Sequence, residues 1–539
     1  MLNILTSSPT LGEIGESKQG LATGCNDIFL REWHEVNVSN IGFKINSTED
    51  STLHGYKWFP YNKGGSRRKW YGNQSLIVNW ENDGYEIKHF VDNKGKLRSR
   101  PQNTQCYFKP SISWGLISGP FFRFFPQGFI YDIQGMSYFP DTELLGVLSW
   151  MNSKVFRILG KSINPREQYQ AGDLLKLPCS NSQFPTLANE CVNFAKYDWD
   201  AHETSWDFQQ NELIALSKQG LGNVTASIDD ELVMSYHILE LLLAEYKAKW
   251  MNLFKQLHAN EEELNRQFIE IYGLQDELTP EVPLDEITIL QEGEIKIEEN
   301  KIKWNDDVLM KQFISYAMGI WMGRYRLDKP GLHIAHPSPT EEEIAPYTYN
   351  GATIEIDDDG IIPLMDENAP FPDNAEKRMK EFVEVVFGSA NKAKNIDFLN
   401  ATLGRNTNIA KYLKNDFWKD HLARYQKRPI YWLFQSSRKN PAFQVLVYMH
   451  RMDAYTCEKV RTKYLLVYIE HLKNRILYLQ SQPTTAAVTR EQTQHEAALK
   501  ECLDYEARLH NIANQQIAFD LDDGVKLNYA KFGDVLAPI

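Results

Sequence analysis

The sequence predicts an α+β protein: a mostly β first third, then a largely α-helical region that carries a short β insertion. Three observations predict it. Between residues 57 and 140, short runs of β-branched and aromatic residues are separated by Gly, Asn and Pro turns, the pattern of half-buried strands. From 187 to 275 the apolar residues change to helical spacing. Residues 453–482 and 489–518 then read as two long helices, with TTAAVT as the hinge, an antiparallel pair with heptad-like charges.

The 539 residues are enough for about three or four domains at ~150 residues each. The composition shifts place them at 1–178, 179–280, 281–452 and 453–539. The apolar share is 42 %, ordinary for a globular chain with a sizeable core. The net charge of −13 is uneven: +4 over residues 1–178 and −17 beyond them. A mildly basic first third on an acidic body points to an anionic partner at one end. The six cysteines form no CxxC pair and no close spacing with histidine, which argues against a zinc site or a disulfide framework. Free thiols and a cytoplasmic location are expected. No apolar run reaches ~18 residues, so no membrane-spanning helix is expected. The first residues lack a basic stretch followed by a long apolar one, so they do not read as a secretory signal.

In chain order, QGLATGCNDIFLR (19–31) reads as strand, turn and helix, with Gly20 and Gly24 in the turn and Asn26 or Asp27 as cap. Residues 74–91 alternate like two strands around the turn Asn82-Asp83-Gly84. Short strands continue to 140, where Phe121, Phe122, Phe124 and Phe125 bracket Arg123 and read as core. Leu144, Leu145, Leu148, Met151 and Val155 form one face of a helix over 142–158. Within the helical block, Asp229 and Asp230 sit at a helix start, where the dipole favours anions. ITILQEGEIKIEENKIKW reads as a charged hairpin or insertion, and IYWLFQSSRKNPAFQVLVYMH as two strands around a turn.

One stretch stands apart. Residues 57–103 hold ten Lys or Arg against four Asp or Glu, with aromatic rings between them and glycines punctuating the run. Cations, planar rings and turns together suit a surface that follows a phosphate backbone and reaches base edges. The bland alternative is a twisted sheet with solvated loops.

Sites for chemistry are harder to find. No glycine-rich methyltransferase loop and no Asn-Pro-Pro-aromatic motif is present; Asn164-Pro165 and Asn440-Pro441 continue differently. Asp83 with Glu86-Ile-Lys88, and Asp285 with Glu294-Ile-Lys296, resemble a nuclease metal site only by residue type. His333 and His336 lie in a Pro-rich loop without further ligands, and no HExxH or GxSxG exists. No catalytic or metal-binding residue is assigned.

Several long strings carry a resemblance: GLATGCNDIFLREWHE, KWFPYNKGGSRRKWYGN, VNWENDGYEIK, GKLRSRPQNT, FISYAMGIWMGRYRLDKPGL, KDHLARYQKRPIYWLFQSS and DLDDGVKLNYAKFGDVL. In these the chain resembles the PglX family of adenine-specific DNA methyltransferases of BREX phage-defence systems. The resemblance covers nearly the whole chain but only the C-terminal portion of the family. It implies a target-recognition domain near 20–178, then a helical C-terminal region. The N-terminal catalytic domain, with its S-adenosylmethionine loop and Asn-Pro-Pro-Tyr motif, is not part of it. The chain alone is therefore expected to lack methyltransferase activity and to hold no cofactor. Expected partners are double-stranded DNA, the methyltransferase half in cis or in trans, and other BREX proteins. The expected DNA contacts are Lys63, Arg67, Arg68, Lys69, Trp70 and Tyr71 first and Lys94, Lys96, Arg98 and Arg100 second, with Asn79, Gln102 and Asn103 as base readers. Two rival readings stand: a specificity subunit acting in trans, and a non-catalytic interaction scaffold.

Overall fold

A computed structural model describes residues 8–115, 119, 121–179, 184–223 and 238–539. The fold is α+β, as expected. Contacts gather the chain into two units. Unit 1 takes residues 1–33, 39–207 and 247–305; unit 2 takes 34–38, 208–246 and 306–539. The chain therefore changes unit after residues 33, 38, 207, 246 and 305, rather than at 178, 280 and 452.

Unit 1 contains the expected β region. Its first eight strands are β1 (Gly15–Lys18), β2 (Leu30–Glu32), β3 (Trp58–Asn62), β4 (Leu76–Asn79), β5 (Ser111–Ser113), β6 (Arg123–Phe125), β7 (Ile130–Tyr131) and β8 (Ser137–Pro140). They form two sheets, ordered β1-β8-β5-β6 and β2-β4-β3-β7. All pairings are antiparallel except β3 with β7, where Tyr61 faces Ile130. Every residue of β3 is buried, so both faces of its sheet are covered. Leu21, Phe59, Tyr61, Val78, Trp80 and Ile130 share one apolar cluster. Two side-chain hydrogen bonds anchor this interior. Tyr61 donates to Asp132 at 2.6 Å, and Asn62 donates to the Ser113 hydroxyl at 2.7 Å, tying the two sheets together.

Two local expectations change. The alternation over 74–91 gives one strand, not two. After β4 the chain enters α2 (Glu81–Lys88), the helix that packs against α1 (Thr48–Leu53). Asn82, Asp83 and Gly84 do take left-handed φ values, 51°, 56° and 69°. They open a helical turn beneath Trp80 instead of joining strands. A Cβ on Gly84 would stand 2.6 Å from the Trp80 ring, so only glycine lets the turn close here. The helix expected over 142–158 is broken into α3 (Leu144–Met151) and α4 (Lys154–Ile163). Asn152 exchanges both its amide groups with the backbone of Phe122, and Ser153 caps α4 by accepting from Phe156.

Helix α5 (Pro185–Asp200), residues 247–271 of α6 (Leu239–Ile271) and the hairpin β9 (Ile295–Glu298)–β10 (Lys301–Trp304) complete unit 1. Asp229 and Asp230 lie outside the described residues. Unit 2 carries α7 (Asp306–Trp321), with eleven of its sixteen residues buried. It also carries the short hairpin β11 (Tyr347–Tyr349)–β12 (Ala352–Ile354). Its sheet runs β13 (Ile361–Pro363), β15 (Gln444–Tyr448), β14 (Tyr431–Gln435), the last two being the expected strand pair. Helix α8 (Ala375–Phe387) follows β13, and α9 (Leu466–Gln480) packs on α10 (Ala486–Ala513) with Arg475 bridging to Glu491 at 2.6 Å. Thr485 caps α10, so most of the expected hinge TTAAVT is helical. No helix among the described residues is long and apolar enough to cross a membrane.

Candidate nucleic-acid interface

The basic stretch divides into two parts with opposite fates. The first, Arg68 to Tyr71, turns into unit 1. Arg68 is 2 % exposed and its guanidinium meets Asp198 of α5 at 2.8 Å. Burial opposes the Arg68 charge, but Asp198 together with Glu292 and Glu294 outweighs it, and the guanidinium titrates above its usual range. Lys69 is 5 % exposed and its ammonium pairs with Glu261 of α6. The Trp70 indole donates to the other oxygen of that carboxylate at 2.8 Å. Tyr71 is buried, and the Lys196 ammonium lies 5.1 Å from its ring centre.

These four residues correct the expectation of a DNA-contacting loop. Their charges and rings are spent inside the unit, on Asp198, Glu261 and Lys196, which arrive more than a hundred residues later in the chain. Asn79 is corrected for the same reason. It is 5 % exposed, donates to Glu86 at 2.9 Å and accepts from the Glu81 amide. Gln102 and Asn103 are half-buried and donate to the backbone oxygens of Gly20 and Gln19. Lys63 is half-buried. Arg67 remains outward, its guanidinium 4.9 Å from the centre of the Phe121 ring.

The second part is a finger. Val91 and Leu97 pair as an antiparallel bridge, and Asp92 to Lys96 make the turn between them. Asp92 organises that turn. Its amide donates to the Lys96 carbonyl at 2.8 Å, its carbonyl accepts from Gly95, and its carboxylate accepts from the Lys94 and Lys96 amides at 2.8 and 3.0 Å. Those amides, Lys96 first, hold the carboxyl below the usual carboxylate range. The base of the finger is fixed on both sides. The Arg98 amide bonds to Phe90, the Ser99 hydroxyl to Ile87, and Arg100 exchanges two backbone bonds with Ala22. Phe90 in turn meets Phe29 edge-on at 5.1 Å.

Lys94, Lys96, Arg98 and Arg100 are all exposed on this finger, and among the described residues none of them is in a salt bridge. Arg98 lies 5.5 Å from the Phe90 ring centre. Beside the cations stand Val91 and Leu97, 48 % and 49 % exposed, and Tyr85 of α2, 62 % exposed. A preorganised turn with outward cations and apolar tips can sit on a phosphate backbone and enter a groove. Val91 and Leu97 were missed in the sequence, whereas Tyr85 was among the rings read in the basic stretch. The signal of Val91 and Leu97 was their place on either side of the turn DNKG, where a soluble loop ordinarily carries polar residues.

The other sequence candidates dissolve. Asp83 pairs with Lys88 at 2.6 Å. Glu294 is fully buried and meets His202 at 2.6 Å. His333 and His336 both bond to Glu343. All six cysteines are free. The Gly20–Gly24 turn is packed against the protein's own backbone. A Cβ on Gly20 would overlap the Tyr131 carbonyl, and one on Gly24 would stand 2.8 Å from the Arg98 carbonyl carbon. Protein backbone already fills that cradle.

No family model matches the chain. Among curated proteins, it is 35 % identical over 548 residues to the adenine-specific methyltransferase PglX of Lacticaseibacillus casei (strain Zhang), covering 97 % of this chain. The chain is PglX-like. A second relative, the adenine-specific methyltransferase BrxX of Escherichia coli O9:H4 (strain HS), is 34 % identical over 568 residues and 100 % of this chain. The PglX-like chain spans less than half the length of these relatives, 43 % and 44 %.

Proposed function

We propose that this chain is the DNA-recognition and partner-binding portion of an adenine-N6 DNA methyltransferase of a BREX phage-defence system. It holds duplex DNA for a catalytic half that carries S-adenosylmethionine, in the same polypeptide or in trans. The family relationship supports the setting, and the finger supports the role. Four exposed cations on one finger, none in a salt bridge among the described residues, are the observation that carries the reading. Such a surface gains affinity by releasing counterions from DNA, so its binding weakens steeply with salt. No methyl-transfer step is assigned to this chain, whose glycine turn is filled by its own backbone.

The test is a salt series. Purified chain is titrated with duplex DNA between about 50 and 200 mM salt, alongside the variant Lys94→Ala/Lys96→Ala/Arg98→Ala. Binding that falls with salt is expected, with a log–log slope of roughly −0.9 per phosphate neutralised and a slope shallower by about one to three units in the variant. Binding unchanged by the triple substitution would move recognition away from the finger. A folded chain that binds no DNA at low salt would favour the trans-acting or scaffold reading.

A further inference from the structure

The strongest remaining feature lies wholly within unit 2. Trp321 at the end of α7, Glu355 after β12, Asp373, and Arg378, Glu381 and Phe382 on α8 line a cavity of about 400 Å³. That volume falls at the lower end of the range for ligand sites. The three α8 residues share one helical face by their spacing. Phe382 meets Trp321 edge-on at 6.3 Å, so two aromatic rings form an apolar wall.

The charges in the cavity do not balance. The Arg378 guanidinium is already held by the Asp357 carboxylate at 2.9 Å. Asp357 is itself fixed by the amides of Gly360 and Ile361 at 2.8 and 3.1 Å. That leaves Glu355, Asp373 and Glu381. Glu355 and Glu381 are exposed and have no ion pair among the described residues. Asp373 accepts from the Tyr464 hydroxyl at 3.2 Å, and burial raises its carboxyl above the usual range. Three carboxylates thus stand around an aromatic wall whose one cation, Arg378, is bonded to Asp357 and also acts on Asp373.

We propose that this cavity is a docking site for an arginine side chain of a partner protein. A guanidinium is flat, forks onto carboxylates and stacks on aromatic rings. Its three-carbon stem matches the apolar wall. Glu355 and Glu381 supply the paired acceptors at the rim and Asp373 the one deeper in. A space of this size admits one side chain with its flanking backbone, not a folded element. The site does not depend on DNA binding by the finger, so either reading can fail alone.

The test uses the full chain labelled with 5-fluorotryptophan, the Trp321 resonance being assigned with Trp321→Phe. Acetyl-arginine amide is the probe. A saturable shift of the Trp321 signal is expected. Its apparent Kd should weaken at least tenfold in Glu355→Gln/Glu381→Gln, two exposed positions whose substitution leaves the fold intact by circular dichroism. Acetyl-glutamate amide should give no shift. No shift with the arginine probe, or equal affinity in the double variant, overturns the proposal. So does saturation by spermidine alone, which would make the cavity a polyamine site.

Discussion

Arg68 and Lys69 show how little a cation's presence in a sequence says about its employment. Each sits in a run that reads as a DNA-binding patch, and each is buried against a carboxylate. Removing one partner from a buried pair strands the other charge in the interior. Arg68→Ala should therefore cost about 3–5 kcal/mol of unfolding free energy, read by denaturant melts, and should lower DNA binding only through lost folding. The finger residues should behave in the opposite way. Leu97→Asp places a carboxylate among the cations proposed to face the phosphates. It should weaken DNA binding several-fold while leaving the thermal midpoint within a few degrees of the parent, because a half-exposed side chain loses little burial. A similar loss of midpoint in both variants would show that the finger is structural. These two outcomes were not separable in the sequence. Arg67 through Tyr71 and Lys94 through Arg100 are both rich in Lys and Arg and free of Asp and Glu. They part company only because Asp198 and Glu261 come from helices 130 and 192 residues further on.

At the scale of elements, most helices and the two clear hairpins were legible, because periodicity and turn residues act locally. The failures fell where a side chain redirects the backbone. Trp80 and Gly84 turn an alternating stretch into α2, and Asn152 splits one amphipathic run into α3 and α4. Element contacts also set a pH dependence in unit 1. Glu294, at the start of the β9–β10 hairpin, meets His202 just beyond α5. Burial opposes the imidazolium, but Glu294 outweighs it and lifts the His202 pKa to about 9. A raised folded-state pKa means that the pair's stabilisation is full below about 6.5, the unfolded value, and is lost as pH rises through about 9. His202→Gln should flatten that alkaline decline in a series of melts from pH 6 to 10. An unaltered profile would show that the pair contributes nothing.

At the scale of the molecule, unit 2 carries the opposite pH signature. His34, His421 and His450 are buried and all titrate low, His34 at about 3, chiefly through burial and with Arg324 adding to the cost of a further positive charge. His421 accepts the Tyr431 amide at 3.1 Å, a bond that only the neutral ring can make. These groups bind protons in the unfolded chain and not in the folded one. Stability is therefore present above about pH 6.5 and falls progressively toward pH 3. His421→Gln should reduce the acid loss, as read by tyrosine and tryptophan fluorescence during an acid titration.

His34 belongs to a five-residue piece, 34–38, that lies in unit 2 although unit 1 precedes and follows it. Within that piece Glu35 accepts the amide of Val525, 490 positions away, at 2.8 Å. A ribosome adding roughly 5–20 residues per second makes Val525 about half a minute to a minute and a half after Glu35. Through that interval the carboxylate of a growing chain waits for a partner that has not been translated. Unit 2 can finish folding only after nearly all of the chain exists, and no single cut in the gene yields it whole.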